Sequence, residues 1–145
     1  MRDNLKREGR IRRLPVNKKK IIDAFNLAKR DLDTARKIYA EDFDWAFAIA
    51  YNSMLQASRA FMFSEGWRPS GETQHVTVIK FVESVLGEKI KDKIIVLDRM
   101  RRKRHIAVYD EAGIVSEYEA EFAVKNAEEF LQEIEKILIK KGFLK

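Results

Sequence analysis

The segment from Phe43 to Phe63 constrains the fold more than any other part of the sequence, because it is apolar nearly all the way round a helix. It reads FDWAFAIAYNSMLQASRAFMF, is rich in residues that favour helices, and is followed by Gly66, a typical helix stop. A helix with apolar residues on every side has to be surrounded by other elements. The segment therefore predicts a long central helix in a helical bundle.

Four more segments have the spacing of helices that bury one face. The clearest follows Asn17, a residue type favoured at N-caps, and repeats apolar residues at intervals of four and three: Ile21, Phe25, Ala28, Leu32, Ala35 and Tyr39. Others are predicted over residues 72–87, 89–109 and 117–141, the last opened by the capping-box pair Ser116 and Glu119. No alternating strand pattern of useful length is present. We predict an all-α, up-and-down bundle of about five helices around a four-helix core, covering residues 17–145.

Composition excludes several classes of protein and of site. The chain has 145 residues, enough for one domain with its own core, and it contains no cysteine, which excludes disulfides and zinc–thiolate sites. No apolar run approaches the roughly 18 residues that a membrane span needs. The N-terminus is basic and lacks the apolar stretch of a secretory signal, which favours a cytoplasmic protein with no membrane partner. The spacing of the two histidines gives no support to a metal site, and we expect neither a metal nor a cofactor.

Positive charge is concentrated in two places. The net charge is +6 at pH 7, residues 1–20 carry nine Lys or Arg against two Asp or Glu, and a second basic cluster lies near residue 100. Residues 1–16 lack periodicity and contain Gly9 and Pro15, which predicts a basic flexible arm. Contact with a polyanion is the hypothesis for both clusters, and an ordinary solvated surface is the alternative.

The second cluster, DRMRRKRHIAVYD at residues 98–110, lies on a helical pattern that should be partly buried. Arginines and apolar residues share one stripe of this helix: Ile94, Leu97, Arg101, Arg104 and Val108. An arginine that faces a core is costly unless an anion meets it. The stripe predicts either a cationic binding surface or a structural network in which Asp98, Asp110 or the acidic fifth helix pairs with the arginines.

Several of these side chains suit RNA chemistry. Metal-independent cleavage of RNA needs a base for the 2′-hydroxyl, an acid for the leaving 5′-oxygen, and cations that stabilise the transition state. Histidine transfers protons near neutral pH, which suits His105, and Tyr109 one turn later could orient it or bind phosphate. Arg101 and Arg104 could hold phosphate oxygens in a bidentate manner. His75, at the start of the third helix, could help to receive an anion, and a capping and packing role is the competing interpretation.

Three features of the sequence resemble the HEPN domain family, helical proteins found in prokaryotic toxin–antitoxin pairs and beside minimal nucleotidyltransferases. Residues 44–60 (DWAFAIAYNSMLQASRA) are similar to the small-residue and aromatic helix that the family packs centrally. Residues 66–78 (GWRPSGETQHVTV) resemble its glycine-and-proline turn followed by Thr and His. Residues 101–110 (RRKRHIAVYD) stand in the place of its Arg-x(4–6)-His element. Together these features cover roughly residues 17–141.

The last of these elements can be aligned in two ways. With Arg104 as its arginine, His105 stands where catalytic members commonly have Asn, and Tyr109 stands where they have His, directly before Asp110. With Arg99 as its arginine, His105 is the histidine, but the Tyr109-Asp110 ending is unexplained. We prefer the first alignment, in which the motif departs from that of cleaving members.

The resemblance implies a protein that binds RNA or a nucleotide, and metal-independent ribonuclease activity in a toxin–antitoxin system is one form of that function. A non-catalytic module that binds a nucleotide, a phosphate or a partner protein is the alternative, and a helical interaction protein with structural arginines is a third. The candidate site has two parts: catalytic Arg104, His105 and Tyr109, and phosphate-binding Arg99, Arg101, Arg102 and His75.

A homodimer is also expected. The resemblance implies pairing in which the two fourth helices line one cleft, with a minimal nucleotidyltransferase or antitoxin as a further partner. The sequence points the same way, because a bundle of this size has little room to hide a central helix that is apolar on every side.

Overall fold

Helices make up most of the chain in the computed structural model, which describes residues 2–145. The elements in chain order are α1 (Arg2–Arg7), β1 (Ile11–Arg13), α2 (Lys18–Ile38), α3 (Phe43–Ser64), β2 (Trp67–Pro69), α4 (Gln74–Leu86), α5 (Lys91–His105) and α6 (Glu117–Lys140). The two short strands pair with each other in antiparallel orientation. The predicted all-α bundle is therefore confirmed. None of the helices within residues 2–145 combines the length and the apolar character that crossing a membrane requires.

Local capping signals fix where the long helices begin. The side chain of Asn17 accepts a hydrogen bond from the Lys20 amide at 3.1 Å, as the sequence predicted. Ser116 forms the predicted capping box at the start of α6. By contrast, α4 begins two residues later than predicted, because Thr73 adopts a left-handed conformation with φ of 54°. That conformation is rare for a β-branched residue and interrupts the helical backbone before Gln74.

The central helix α3 is covered by other helices of the same chain. It packs mainly against α2 and α6, and also against α4 and α5. Ser53 satisfies its buried hydroxyl by donating to the Ala28 carbonyl at 2.8 Å, and the one large apolar side chain of α3 that stays exposed is Trp45. The bundle therefore covers most of this helix on its own, so the packing argument for a second subunit loses its support, and the homodimer stays a prediction.

Two contacts place α4 alongside α3 with both helices pointing the same way. His75 lies against Tyr51, and farther along both helices Phe81 lies against Phe61, with 6.5 Å between the two ring centroids. The chain must therefore return along the bundle between Glu65 and Thr73, and β2 lies within this return. The return brings the start of α4 to the middle of α3, which places His75 beside a buried tyrosine.

The N-terminal segment is folded onto the bundle, unlike the flexible arm predicted for residues 1–16. Leu5 on α1 and Ile11 on β1 are each only 2% exposed. Arg10 donates from Nε to the Thr77 hydroxyl on α4 at 3.0 Å. Residues 2–13 therefore differ from that prediction, and β1 and β2 form a small ribbon where the sequence suggested no strand. Met1 lies outside the described residues.

The end of α5 is irregular. After His105 the chain makes one turn of π-helix, Ile106–Asp110, and the Glu111 amide donates to the Ile106 carbonyl at 2.9 Å. The following loop is held by Asp44, whose carboxylate accepts hydrogen bonds from the amides of Gly113 and Val115. The helix therefore ends where the sequence predicted, but in the wider π form that often occurs at functional sites.

The packing of the N-terminal segment can be tested by Leu5→Ala. Because Leu5 is buried, we expect a loss of about 2 kcal/mol in the free energy of unfolding, at the lower end for a truncated core leucine. Chemical denaturation monitored by circular dichroism measures it, with the exposed neighbour Asn4→Ala as the matched control. Equal stability of the two variants would contradict the docked segment.

Candidate functional site

Three helices meet at the side chain of Tyr51. This tyrosine lies in the middle of α3 with none of its surface exposed, and its hydroxyl lies 3.1 Å from Nδ1 of His75 on α4. The guanidinium carbon of Arg104 on α5 lies 5.9 Å from the centre of the Tyr51 ring. A buried tyrosine hydroxyl needs a hydrogen-bond partner, so Tyr51 and His75 are held together as a unit.

The protonation states of this pair follow from its surroundings. Burial raises the pKa of the Tyr51 phenol far above its ordinary value, so the hydroxyl keeps its proton. Burial also lowers the pKa of His75, and the positive charges of Arg104, Arg101 and Arg59 lower it further. A neutral imidazole can accept a hydrogen bond from the phenol at Nδ1 when its own proton is on Nε2. The pair therefore adds no positive charge to a site already crowded with arginines.

Arg104 is the most unusual side chain of the site. Its guanidinium carbon lies 5.9 Å from the ring centres of both Tyr51 and Tyr109. Its Nε is buried without a hydrogen-bond partner, the one such side-chain nitrogen or oxygen within residues 2–145. A buried donor without a partner costs about 1–3 kcal/mol, and cation–π contacts offset part of that cost. A cation in this condition is suited to receive an anion.

The predicted structural ion-pair network forms around Arg101 and not around Arg104. Asp98 accepts from Arg101 Nε at 3.2 Å and pairs with Arg102 at 3.3 Å. Within the part of the chain that the structure describes, no carboxylate lies within ion-pair distance of Arg104, and Asp110 pairs with neither arginine. Arg101 therefore has a structural partner, whereas Arg104 has no ion-pair partner within the described residues.

His105 and Tyr109 lie on the solvent side of Arg104. Both side chains are exposed, and their ring centres are 5.1 Å apart across the start of the π turn. The π turn sets this spacing, because Tyr109 follows His105 in a backbone wider than an α-helix. The two rings give the open arginine an aromatic rim.

The structure brings together five of the seven predicted site residues. These are Arg101, Arg104, His105, Tyr109 and His75. Arg99 lies elsewhere, lining a cleft between α5 and α6 and also the groove between α4 and α5. The Arg102 side chain is 71% exposed and lines the same groove between α4 and α5. The reason is helical geometry, since Arg99 precedes Arg104 by five residues and points about 140° away from it. The alignment that starts at Arg99 therefore gains no support from proximity.

Two residues of the site escaped the sequence prediction. Tyr51 forms its floor, and Arg59, two helical turns later on the same face of α3, lies close enough to lower the pKa of His75. The signal was present, because a tyrosine and an arginine interrupt an otherwise apolar helix. Their meeting with α4 and α5 depends on tertiary packing that spacing does not reveal. Within residues 2–145 no three His, Asp or Glu side chains are grouped as ligands of a metal ion.

Comparison with known families gives a match over most of the chain. A family model described as HEPN domain matches residues 23–137, which include α3, α4, α5 and most of α6. The match contains the whole site from Tyr51 to Tyr109 and begins after β1. A search of curated proteins gives no match.

The lowered pKa of His75 predicts that stability rises with pH through the range near 6. In the unfolded chain this histidine has a pKa of about 6.5, and in the folded chain its pKa is lower. As the pH falls below about 6.5, the unfolded chain therefore binds a proton more readily than the folded chain, and acidification favours unfolding. Urea unfolding between pH 5 and pH 7.5 should show a smaller pH dependence for His75→Asn, which keeps a polar atom near the position of Nδ1. Tyr51→Phe is the control and should keep most of the dependence, because burial is the main cause of the shift. If His75→Asn kept the full pH dependence of stability seen in the wild type, this assignment would be contradicted.

Proposed function

Because the chain belongs to the HEPN domain family, as its motifs predicted, we propose that it binds RNA or a nucleotide through a phosphate held at Arg104. The observation that supports this function is the partly buried guanidinium between two tyrosine rings, with its Nε lacking a partner. A phosphate at the outer nitrogens of this guanidinium would supply the missing negative charge. Arginine suits this role because its donors form a planar fork that matches two phosphate oxygens.

The neighbouring side chains suit the rest of a nucleotide. Tyr109 is 66% exposed, and with His105 it offers aromatic faces on which a base can stack. Arg101 adds positive charge while Asp98 keeps its side chain in place. Phosphate and base would thus contact adjacent residues at the end of α5, which is the arrangement that a nucleotide requires.

The proposed cellular setting follows from the family and from one exposed surface. We expect a toxin–antitoxin pair or a nucleotidyltransferase-linked protein, with a minimal nucleotidyltransferase or antitoxin as partner. We also expect a homodimer through the end of α5, where Ile106 is 41% exposed beside Tyr109 and a partner copy would cover both. Sedimentation at micromolar concentration measures this, and a monomer with and without RNA would remove the dimer from the proposal.

Metal-independent RNA cleavage is the second candidate function, favoured by the two histidines near Arg104. One histidine would take the proton of the 2′-hydroxyl as its oxygen attacks phosphorus. The other histidine, in its protonated form, would give a proton to the 5′-oxygen as its bond to phosphorus breaks. Arg104 would stabilise the charge that develops on the phosphoryl oxygens. Tyr109, at the position where cleaving relatives have histidine, favours binding without cleavage. Binding is therefore the leading proposal.

The binding proposal predicts that Arg104→Gln weakens the affinity for a short RNA by about ten- to a hundredfold. This follows because hydrogen bonds to charged groups contribute about 1.5–3 kcal/mol. Fluorescence anisotropy measures it, and Arg102→Gln is the matched control because it removes the same charge from the same helix at an exposed, ion-paired position. A structural role for Arg104 predicts the opposite pattern, a lower melting temperature with unchanged affinity.

Cleavage can be tested with the same protein and a mixed RNA pool containing EDTA. If the second candidate is right, the wild type shortens the RNA, and both His105→Ala and Arg104→Ala stop the reaction. The leading proposal predicts intact RNA with the wild type. Cleavage that survives both substitutions would show that the reaction takes place elsewhere.

A further inference from the structure

The two-stranded ribbon of β1 and β2 has one buried face and one charged face. Ile11 pairs with Pro69, and Arg13 pairs with Trp67, so these residues share a face. Trp67 is 5% exposed and is covered by the Arg13 guanidinium at 4.2 Å from its ring centre. The ribbon is thus fixed to the bundle by apolar contacts on this side. Its other face carries the remaining pair, Arg12 and Arg68.

Arg12 and Arg68 stand directly opposite each other on this second face, where Arg12 is exposed and Arg68 is half-buried. Side chains in this register lie about 5 Å apart at Cβ, and like charges there destabilise a strand pair. Within residues 2–145 no carboxylate lies within ion-pair distance of either guanidinium, and Arg68 reaches only the Pro69 carbonyl, at 3.4 Å. Two arginines are therefore held side by side without a counter-charge. A phosphate between them would remove the repulsion.

The ribbon is connected to the candidate site through the first turns of α4. Arg10, next to β1, donates to the Thr77 hydroxyl at 3.0 Å, and Thr77 follows His75 by two residues. Arg59 lies on α3 between Tyr51 and the start of β2 along the chain. It is partly buried against the Phe63 ring and has no carboxylate partner within the described residues. Arginines without acidic partners thus recur from the end of α5 to the ribbon.

We propose that Arg12 and Arg68 form a second phosphate-binding site, and that the ligand is a single-stranded RNA several nucleotides long that extends from Arg104 past Arg59 to the ribbon. This inference rests on the proposed function, because Arg104 binds one phosphate of the same strand. A mononucleotide would leave the ribbon empty. A single strand is favoured because the exposed rings of His105 and Tyr109 require an unstacked base.

The two strands of the ribbon differ in their relation to the family match. β1 precedes residue 23, where the family match begins, whereas Arg68 lies inside the match. Arg12 therefore lies outside the matched region, and its partner Arg68 lies within it. Residues 2–13 contain six Lys or Arg against two Asp or Glu, so the segment that carries Arg12 is itself strongly basic.

The test compares two probes, uridine monophosphate and an oligouridylate of about twelve nucleotides, on the double variant Arg12→Gln/Arg68→Gln. The matched control is Lys29→Gln/Lys37→Gln, which removes two exposed charges from α2. We expect the double variant to lose on the order of tenfold in oligouridylate affinity. The slope of log affinity against log salt should flatten by about 0.7, since the arginine pair contacts one phosphate and each phosphate contact to a single strand contributes about 0.7. Its melting temperature should stay equal or rise, because a repulsion is removed.

The remaining outcomes separate this inference from the proposed function. If Arg104→Gln weakens oligouridylate binding and the double variant does not, the RNA path is overturned while the proposed function stands. If neither variant differs from the control, or no oligouridylate binds, both proposals fail. If the double variant loses as much affinity for uridine monophosphate as for oligouridylate, the ribbon acts on the site at Arg104 and is not a second phosphate-binding site. Phosphatidylserine vesicles serve as a further probe. If the double variant loses its binding to these vesicles and keeps its oligouridylate affinity, the ribbon is a membrane contact and the RNA path is overturned.

Discussion

The hydrogen bond between Tyr51 and His75 is the contact on which the arrangement of the site depends. It satisfies a hydroxyl that the central helix would otherwise bury without a partner, and it joins α3 to the start of α4. The same tyrosine ring is the surface over which the Arg104 guanidinium lies, so α5 is positioned by the other side of the same residue. One buried polar side chain thus sets the relative positions of three helices.

Arg104 remains open because every nearby acidic group is engaged elsewhere or lies too far away. Asp98 holds Arg101 and Arg102, and Asp44 is used to anchor the loop that follows the π turn. Glu119 pairs with Lys103 on the side of α5 that faces α6. Within the described residues, Arg104 therefore has no carboxylate within ion-pair distance. A fixed cation in partly buried surroundings interacts with an anion more strongly than one in bulk water, because the local dielectric is lower.

The sequence predicted the bundle well because helix periodicity and caps are local properties. Asn17, Ser116 and the all-round apolar α3 each signalled an element that the structure contains. The N-terminal segment was mispredicted because three-residue strands have no periodicity to detect, and because burial of Leu5 and Ile11 depends on surfaces far along the chain. The site was predicted only in part, because some of its residues are brought together by tertiary packing. The residues of α5 share one helix, whereas Tyr51 and Arg59 join them only through packing.

The central claim is that the Arg104 guanidinium receives a phosphate, and nitrogen NMR of arginine side chains tests it most directly. The Nε–H signal of Arg104 can be assigned by its loss in Arg104→Lys and followed as uridine monophosphate or oligouridylate is added. The account predicts that this signal shifts, because a phosphate binds the outer nitrogens of the same guanidinium, while the exposed Arg102 signal changes less. An Arg104 signal that stays unchanged while the RNA binds would contradict the account.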